Sequence, residues 1–238
     1  MKTEHDAQHG AIDRRTAVTV LGSLALGTVA TAYGRSPAAL AAASCPPTPT
    51  QMEGPYYIDR ARVRGDITEG KSGVPLGLAL RIVDADPSCA PIAKAVVDVW
   101  HCDAFGIYSG YAGAPVAPTH VQPVDDKTFL RGTQATDAAG AARFVTIYPG
   151  WYTGRTTHVH VKVRAGTKVM TTQLYFPEEI TARVYRRAPY DQHPNRDTSN
   201  ATDVALRGVS AKPLLMWEIS PDRDGYIATA TIAVKPSS

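Results

Sequence analysis

Helical periodicity is scarce in this chain, and short runs rich in β-branched and aromatic residues recur instead, each closed by Gly, Pro or Asp. The spacing predicts strands over 78–83, 95–100, 142–147, 158–163 and 171–176. A last hairpin is expected from 214–219 and 226–234 about a turn at 221–225. Many short strands at such intervals specify an all-β protein, a mixed β-sandwich with little helix. Residues 180–185 carry the one short helical pattern. Two long connections, 111–131 and 177–212, are placed to wall a site on this scaffold.

The first forty-odd residues read as an address rather than as fold. Arg14 and Arg15 precede an apolar run from Ala17 to Ala32, and residues 38–43 supply the small side chains at which signal peptidase cuts, most simply after Ala43. Paired arginines ahead of a modest apolar core predict a twin-arginine-type signal over 1–43 and an exported protein, periplasmic or extracellular. The run is about sixteen residues, short for a spanning helix, so no stable membrane insertion is expected after processing. Residues 44–238 then make one domain long enough for a sizeable core. The net charge is +3, and residues 1–43 hold four Lys/Arg against three Asp/Glu, which leaves the remainder near +2. Neither a nucleic-acid groove nor a polybasic membrane patch follows from that balance. In an oxidising destination the three cysteines allow one disulfide. Cys89 and Cys102, which flank an apolar run, are the expected pair, with Cys45 to either one as the alternative.

The densest chemistry lies in residues 148–160, Tyr-Pro-Gly-Trp-Tyr-Thr-Gly-Arg-Thr-Thr-His-Val-His. In a strand, positions i and i+2 share a face, so His158 and His160 aim two imidazoles at one point. Tyr148 and Tyr152 flank a Pro-Gly turn that folds the chain back, and either one suits a second donor. Imidazole nitrogen with phenolate oxygen is a donor set for a hard, oxidised metal such as Fe(III). The same pair serves zinc in a divalent-metal hydrolase if a third His or a carboxylate joins it. It also stands solvated on a non-enzymatic envelope binding module.

Upstream, 97–109 reads Val-Asp-Val-Trp-His-Cys-Asp-Ala-Phe-Gly-Ile-Tyr-Ser, a strand ending at Trp100 and a turn that presents Tyr108. With Glu53-Gly-Pro-Tyr-Tyr57, Tyr152, the His pair and Thr172-Gln-Leu-Tyr-Phe176, the ordered set resembles the intradiol ring-cleavage dioxygenases, the family of catechol and protocatechuate dioxygenases. The resemblance implies a non-haem Fe(III) held by Tyr108, Tyr152, His158 and His160, with a catecholic aromatic and O2 as substrates. It implies ring cleavage between the two hydroxylated carbons. It makes Arg155, three residues before the first His, the site arginine that stabilises negative charge developing on the substrate. Gln173 matches a glutamine that supports the site from behind. By the same resemblance Tyr108 is expected to be the tyrosinate that leaves the metal and takes a proton from the substrate. Tyr56 or Tyr57 is expected near the site mouth. His101, His120 and His193 are read as core or solvated groups, and Asp98 and Asp103 as structural.

The chain departs from the family pattern in one informative place. Only five residues separate Tyr152 from His158, which removes a covering loop and predicts a more open site for substituted or larger catechols. A long helical N-terminal region of the kind that builds the catechol dioxygenase dimer is also missing, so the resemblance is to an exported, compact branch.

Overall fold

Two-residue alternation builds the first strand, β1 (Pro75–Asp84), which buries Leu76, Leu78, Leu80 and Ile82 and turns the residues between them outward. The computed structural model describes residues 44–59, 62–112 and 122–235. The leader expected over 1–43 and His120 lie outside the described residues. The elements that follow β1 are β2 (Val96–Trp100), β3 (Arg131–Ala135), β4 (Ala141–Ile147), β5 (His158–Ala165), β6 (Lys168–Tyr175), α1 (Glu178–Val184), β7 (Glu218–Asp222) and β8 (Gly225–Val234). They pair as two four-stranded sheets, in the orders β4-β1-β8-β7 and β3-β2-β5-β6. The β1–β8 pair is parallel and the others are antiparallel, so the sandwich is mixed.

The sheets face each other across one apolar layer. Leu78, Phe144, Ala228 and Ile232 from the first sheet meet Val97, Val99, Val161, Val163 and Leu174 from the second. Since each side chain on β2, β5 and β6 alternates faces, the opposite face of the second sheet carries a polar and aromatic set. Register places Trp100 opposite His160, His160 opposite Gln173 and His158 opposite Tyr175. The segment before β1 covers this face, with Gln51 N donating to Thr171 O at 2.9 Å and Gln173 Nε2 to Met52 O at 2.8 Å.

Three expectations need correction. The final hairpin begins later than its apolar run suggests. Residues Lys212–Leu215 form a 3-10 turn and β7 starts only at Glu218. Pro213 suits a helical first turn because it has no N–H to give, and Leu215 packs on Tyr175 and Leu206 rather than alternating in a sheet. Strand β3 escapes a search for apolar alternation because its site-face residues, Arg131 and Thr133, are polar. The disulfide joins Cys45 to Cys89, and Cys102 is a free, buried thiol. Cys89 precedes β2 and Cys102 follows it. An extended strand rising about 3.3 Å per residue holds the two far beyond the about 7 Å Cα separation that a disulfide spans.

Candidate metal centre

Two backbone contacts bring the tyrosine loops together. Gly106, at φ +80°, lies so close to the next loop that a Cβ there would stand 2.2 Å from Trp151 O. A Cβ on Gly150 would stand 2.5 Å from Ala104 O, and Gly150 N donates to Asp103 O at 3.0 Å. Only glycine permits such an approach. Asp103 shapes the first loop, its Oδ1 accepting from Phe105 N and Ile107 N, both at 3.0 Å, while Lys71 holds the other oxygen at 2.6 Å. The result presents Tyr108 and Tyr152 over the end of β5.

Four donor atoms converge there. Tyr108 OH lies 3.4 Å, Tyr152 OH 3.5 Å and His160 Nε2 3.1 Å from His158 Nε2. His158 Nδ1 donates to Thr156 O at 2.6 Å, which leaves the Nε2 lone pair facing the cluster. That lone pair cannot satisfy three neighbours, and among the described residues His160 Nδ1 is itself buried without a hydrogen-bond partner. A cation resolves the crowding. Ligand atoms about 2.0–2.2 Å from a metal and at angles of about 90–110° stand about 2.8–3.6 Å from one another. The residues present therefore fit a metal, and nitrogen with phenolic oxygen fits an oxidised iron better than a thiolate-seeking ion. Cys102 is not part of the set, since its Sγ points to Gly150 O at 3.5 Å.

Burial tunes the cluster. It pushes the pKa of His158 and His160 well below the usual value, with the Arg155 charge adding to the effect, so both imidazoles are neutral and able to ligate. Burial likewise raises Tyr108 and Tyr152, and each phenol's neighbourhood to the other adds for Tyr108. The rings are tightly placed: Trp100 stacks on His160 at 4.8 Å and Tyr56 on Tyr108 at 4.7 Å. Gly54 lets the covering segment approach, a Cβ there meeting His160 Cε1 at 3.3 Å. Tyr108, His158 and His160 are buried while Tyr152 is half-buried and Thr153 and Gly154 are exposed, so the cluster meets solvent on the Tyr152 side.

Arg155 reaches the same point. Its Nη1 donates to Tyr152 OH at 3.4 Å and its Nη2 to Gln173 Oε1 and Tyr175 OH. Burial works against the guanidinium charge, but Tyr152 and Asp203 outweigh it and hold the pKa above the usual range. Tyr148 is elsewhere: its OH meets Thr181 Oγ1 at 2.8 Å inside the main core, against Phe176. Tyr56 reaches the cluster, whereas Tyr57 packs on Trp100 and donates to Asp98 at 3.0 Å. Asp98 also accepts from Thr133 and Arg164, which makes it a brace. His101 is an interior brace, bonded to Cys102 O and Thr146 Oγ1, both at 2.8 Å. His193, expected in solvent, instead stacks on Trp151 at 4.4 Å, because its loop folds back to accept Trp151 Nε1–H at 3.0 Å.

Three residues of the neighbourhood had escaped the sequence. Tyr175 shares its face with Gln173 and follows from two-residue alternation. Arg131, buried with its donors on Ser109 and Tyr56 O, braces the Tyr108 loop. Asp203 has no signal in the sequence at all. Among the described residues no group of three or more His, Cys, Asp or Glu gathers, so the third donor that a zinc site on His158 and His160 calls for is not found there.

A family model described as "Dioxygenase" matches residues 52–184. Chlorocatechol 1,2-dioxygenase of Pseudomonas sp. (strain P51) is 32% identical over 145 residues, spanning 52% of this chain and 54% of the relative. The protocatechuate 3,4-dioxygenase beta chain of Burkholderia cepacia is 31% identical over 126 residues, 47% of this chain and 51% of the relative. The chain thus spans about half the length of the curated relatives it matches. Among solved structures, an intradiol ring-cleavage dioxygenase from Tetranychus urticae superposes with a TM-score of 0.76 at 34% identity, covering 81% of this chain and 96% of that one. The dioxygenase domain of a dioxygenase carbohydrate-binding protein fusion from Streptomyces sp. SirexAA-E gives a TM-score of 0.59 at 30% identity, covering 80% and 99%.

Proposed function

The chain belongs to the intradiol ring-cleavage dioxygenase family, and on that premise we propose that it cleaves a catecholic aromatic between its two hydroxylated carbons with O2. The observation that carries this reading is the convergence of Tyr108, Tyr152 and His160 within 3.1–3.5 Å of His158 Nε2. These four residues would hold a non-haem Fe(III), which would supply Lewis acidity toward the catechol hydroxyls. Phenolate ligands favour the ferric state, so the protein's own donors set the oxidation level. The two neutral imidazoles keep the site's charge to that of the phenolates. The donors of Arg155 point at Tyr152, Gln173 and Tyr175, and on this reading its guanidinium stabilises the negative charge that grows on the ring. Access on the Tyr152 side, beside the short link to His158, suits catechols that carry substituents.

We further propose that the protein acts outside the cytoplasm. The Cys45 to Cys89 bridge is the kind of cross-link that persists in an oxidising compartment. Purified protein with stoichiometric iron should be burgundy from tyrosinate-to-Fe(III) charge transfer, and it should consume O2 with catechol, protocatechuate, hydroxyquinol or larger catechols. Colourless protein with full iron would refute the tyrosinate assignment.

A further inference from the structure

The connection between α1 and β7 delivers a carboxylate to the back of the site, outside the residues that match the family model. Asp203 is buried, its side chain 0% exposed, and it caps a short 3-10 turn by accepting from Ala205 N at 2.7 Å. The rest of its capacity goes to the segment that carries the cluster. Arg155 Nε donates to its two oxygens at 3.2 and 3.1 Å, and Thr156 N donates at 2.8 Å. Thr156 O is the group that accepts from His158 Nδ1. Among the described residues Asp203 is also the only ion-pair partner of Arg155. One carboxylate therefore fixes the plane of the guanidinium and anchors the backbone that orients the first histidine.

We propose that Asp203 is a positioning residue of the ring-cleavage reaction, acting through Arg155, an inference that rests on the dioxygenase reading above. Held at Nε, the guanidinium keeps its Nη1 and Nη2 donors directed at Tyr152 OH, Gln173 and Tyr175. Released, it is a buried cation that has lost its one carboxylate partner and turns toward other acceptors. Electrostatic stabilisation depends on donors fixed before charge develops, and outer-shell partners of this kind are worth about 10–100-fold in activity.

The test uses Asp203→Asn, which keeps the side chain's size and removes its charge. Iron content and the visible band should match the parent, while kcat and kcat/KM fall together by about 10–100-fold. Asp203→Asn in an Arg155→Gln background should cost almost nothing more. Parental kcat in Asp203→Asn, or full additivity with Arg155→Gln, would overturn the role. Should Asp203→Asn fail to fold, Arg155→Lys decides: it keeps a charge but has no Nε fork, so it should retain iron and lose turnover, and parental turnover there counts against the proposal. Thermal unfolding of the metal-free protein gives a readout independent of activity, since the two substitutions should lower Tm by less together than the sum of each alone. An iron-loaded parent that takes up no O2 with any catechol sinks the dioxygenase reading, whereas an active parent with an equally active Asp203→Asn sinks only the positioning role.

Discussion

Gly106→Ala and Gly154→Ala make a matched pair, because both glycines sit at φ +80° and only their surroundings differ. A Cβ at Gly154 meets nothing within 4 Å, so that substitution costs only the left-handed backbone, about 1–2 kcal/mol for a residue with a Cβ. At Gly106 the same Cβ would stand 2.2 Å from Trp151 O and 3.0 Å from Tyr152 Cβ. Relief to ordinary contact asks the Tyr108 loop to retreat from the Tyr152 loop by about 1 Å, twice the about 0.5 Å within which a functional constellation must be held. Overpacking adds about 1–3 kcal/mol, for a total of about 2–5 kcal/mol, and each kcal/mol is about 2–4 °C in Tm for a domain of this size. Thermal unfolding of the metal-free proteins, with iron stoichiometry and visible absorption after loading, reads both effects. Gly154→Ala should lose a few degrees and keep its colour, whereas Gly106→Ala should lose more and bind iron poorly or with a shifted band. Equal destabilisation of the pair within about 0.5 kcal/mol, with parental colour in both, would refute the account of how the two tyrosines are brought together.

Other outcomes follow from the same geometry. Tyr152→Phe should abolish or strongly shift the visible band, while Tyr148→Phe, inside the core, should leave the band nearly unchanged; the reverse result in absorption spectra would exchange their roles. Thiol titration without reductant should find no accessible thiol in the native protein and one, Cys102, after denaturation, and a Cys45→Ser, Cys89→Ser double variant should lose about 2–4 kcal/mol in denaturant unfolding. Burial depresses His101 to a pKa of about 4 in the folded chain from 6.5. The unfolded chain therefore binds a proton between those values that the folded chain refuses, and stability falls as pH drops from about 6.5 to about 4, by up to roughly 3 kcal/mol from this group. In metal-free protein His158 and His160 act in the same direction, so His101→Gln should flatten the acid slope by about one proton and not abolish it. An unchanged slope in urea titrations across that range would argue against the interior placement of His101.

Much of the scaffold was legible because strand chemistry is local. The alternation of His158-Val-His-Val-Lys-Val163 states both that β5 is a strand and that its two imidazoles share a face, and the Gly-x-Tyr turn states where Tyr108 emerges. The start of β7 was not legible in the same way, since the apolar run that suggested a strand is spent on packing Leu215 against Tyr175 and Leu206. The disulfide obeys strand geometry: Cys89 and Cys102 lie beyond opposite ends of the extended β2 and cannot meet, so the bridge runs from Cys45 to Cys89.

By itself the sequence determined the class of fold, the face that holds the histidines and the family of chemistry, since each depends on residues within a few positions of one another. The tertiary structure alone separated Tyr148 from Tyr152, because both flank one turn and only packing sends the first into the core and the second over the histidines. It alone joined Asp203 to Arg155, 48 residues apart, for the closing of a long loop onto a buried cation leaves no periodic trace in the chain.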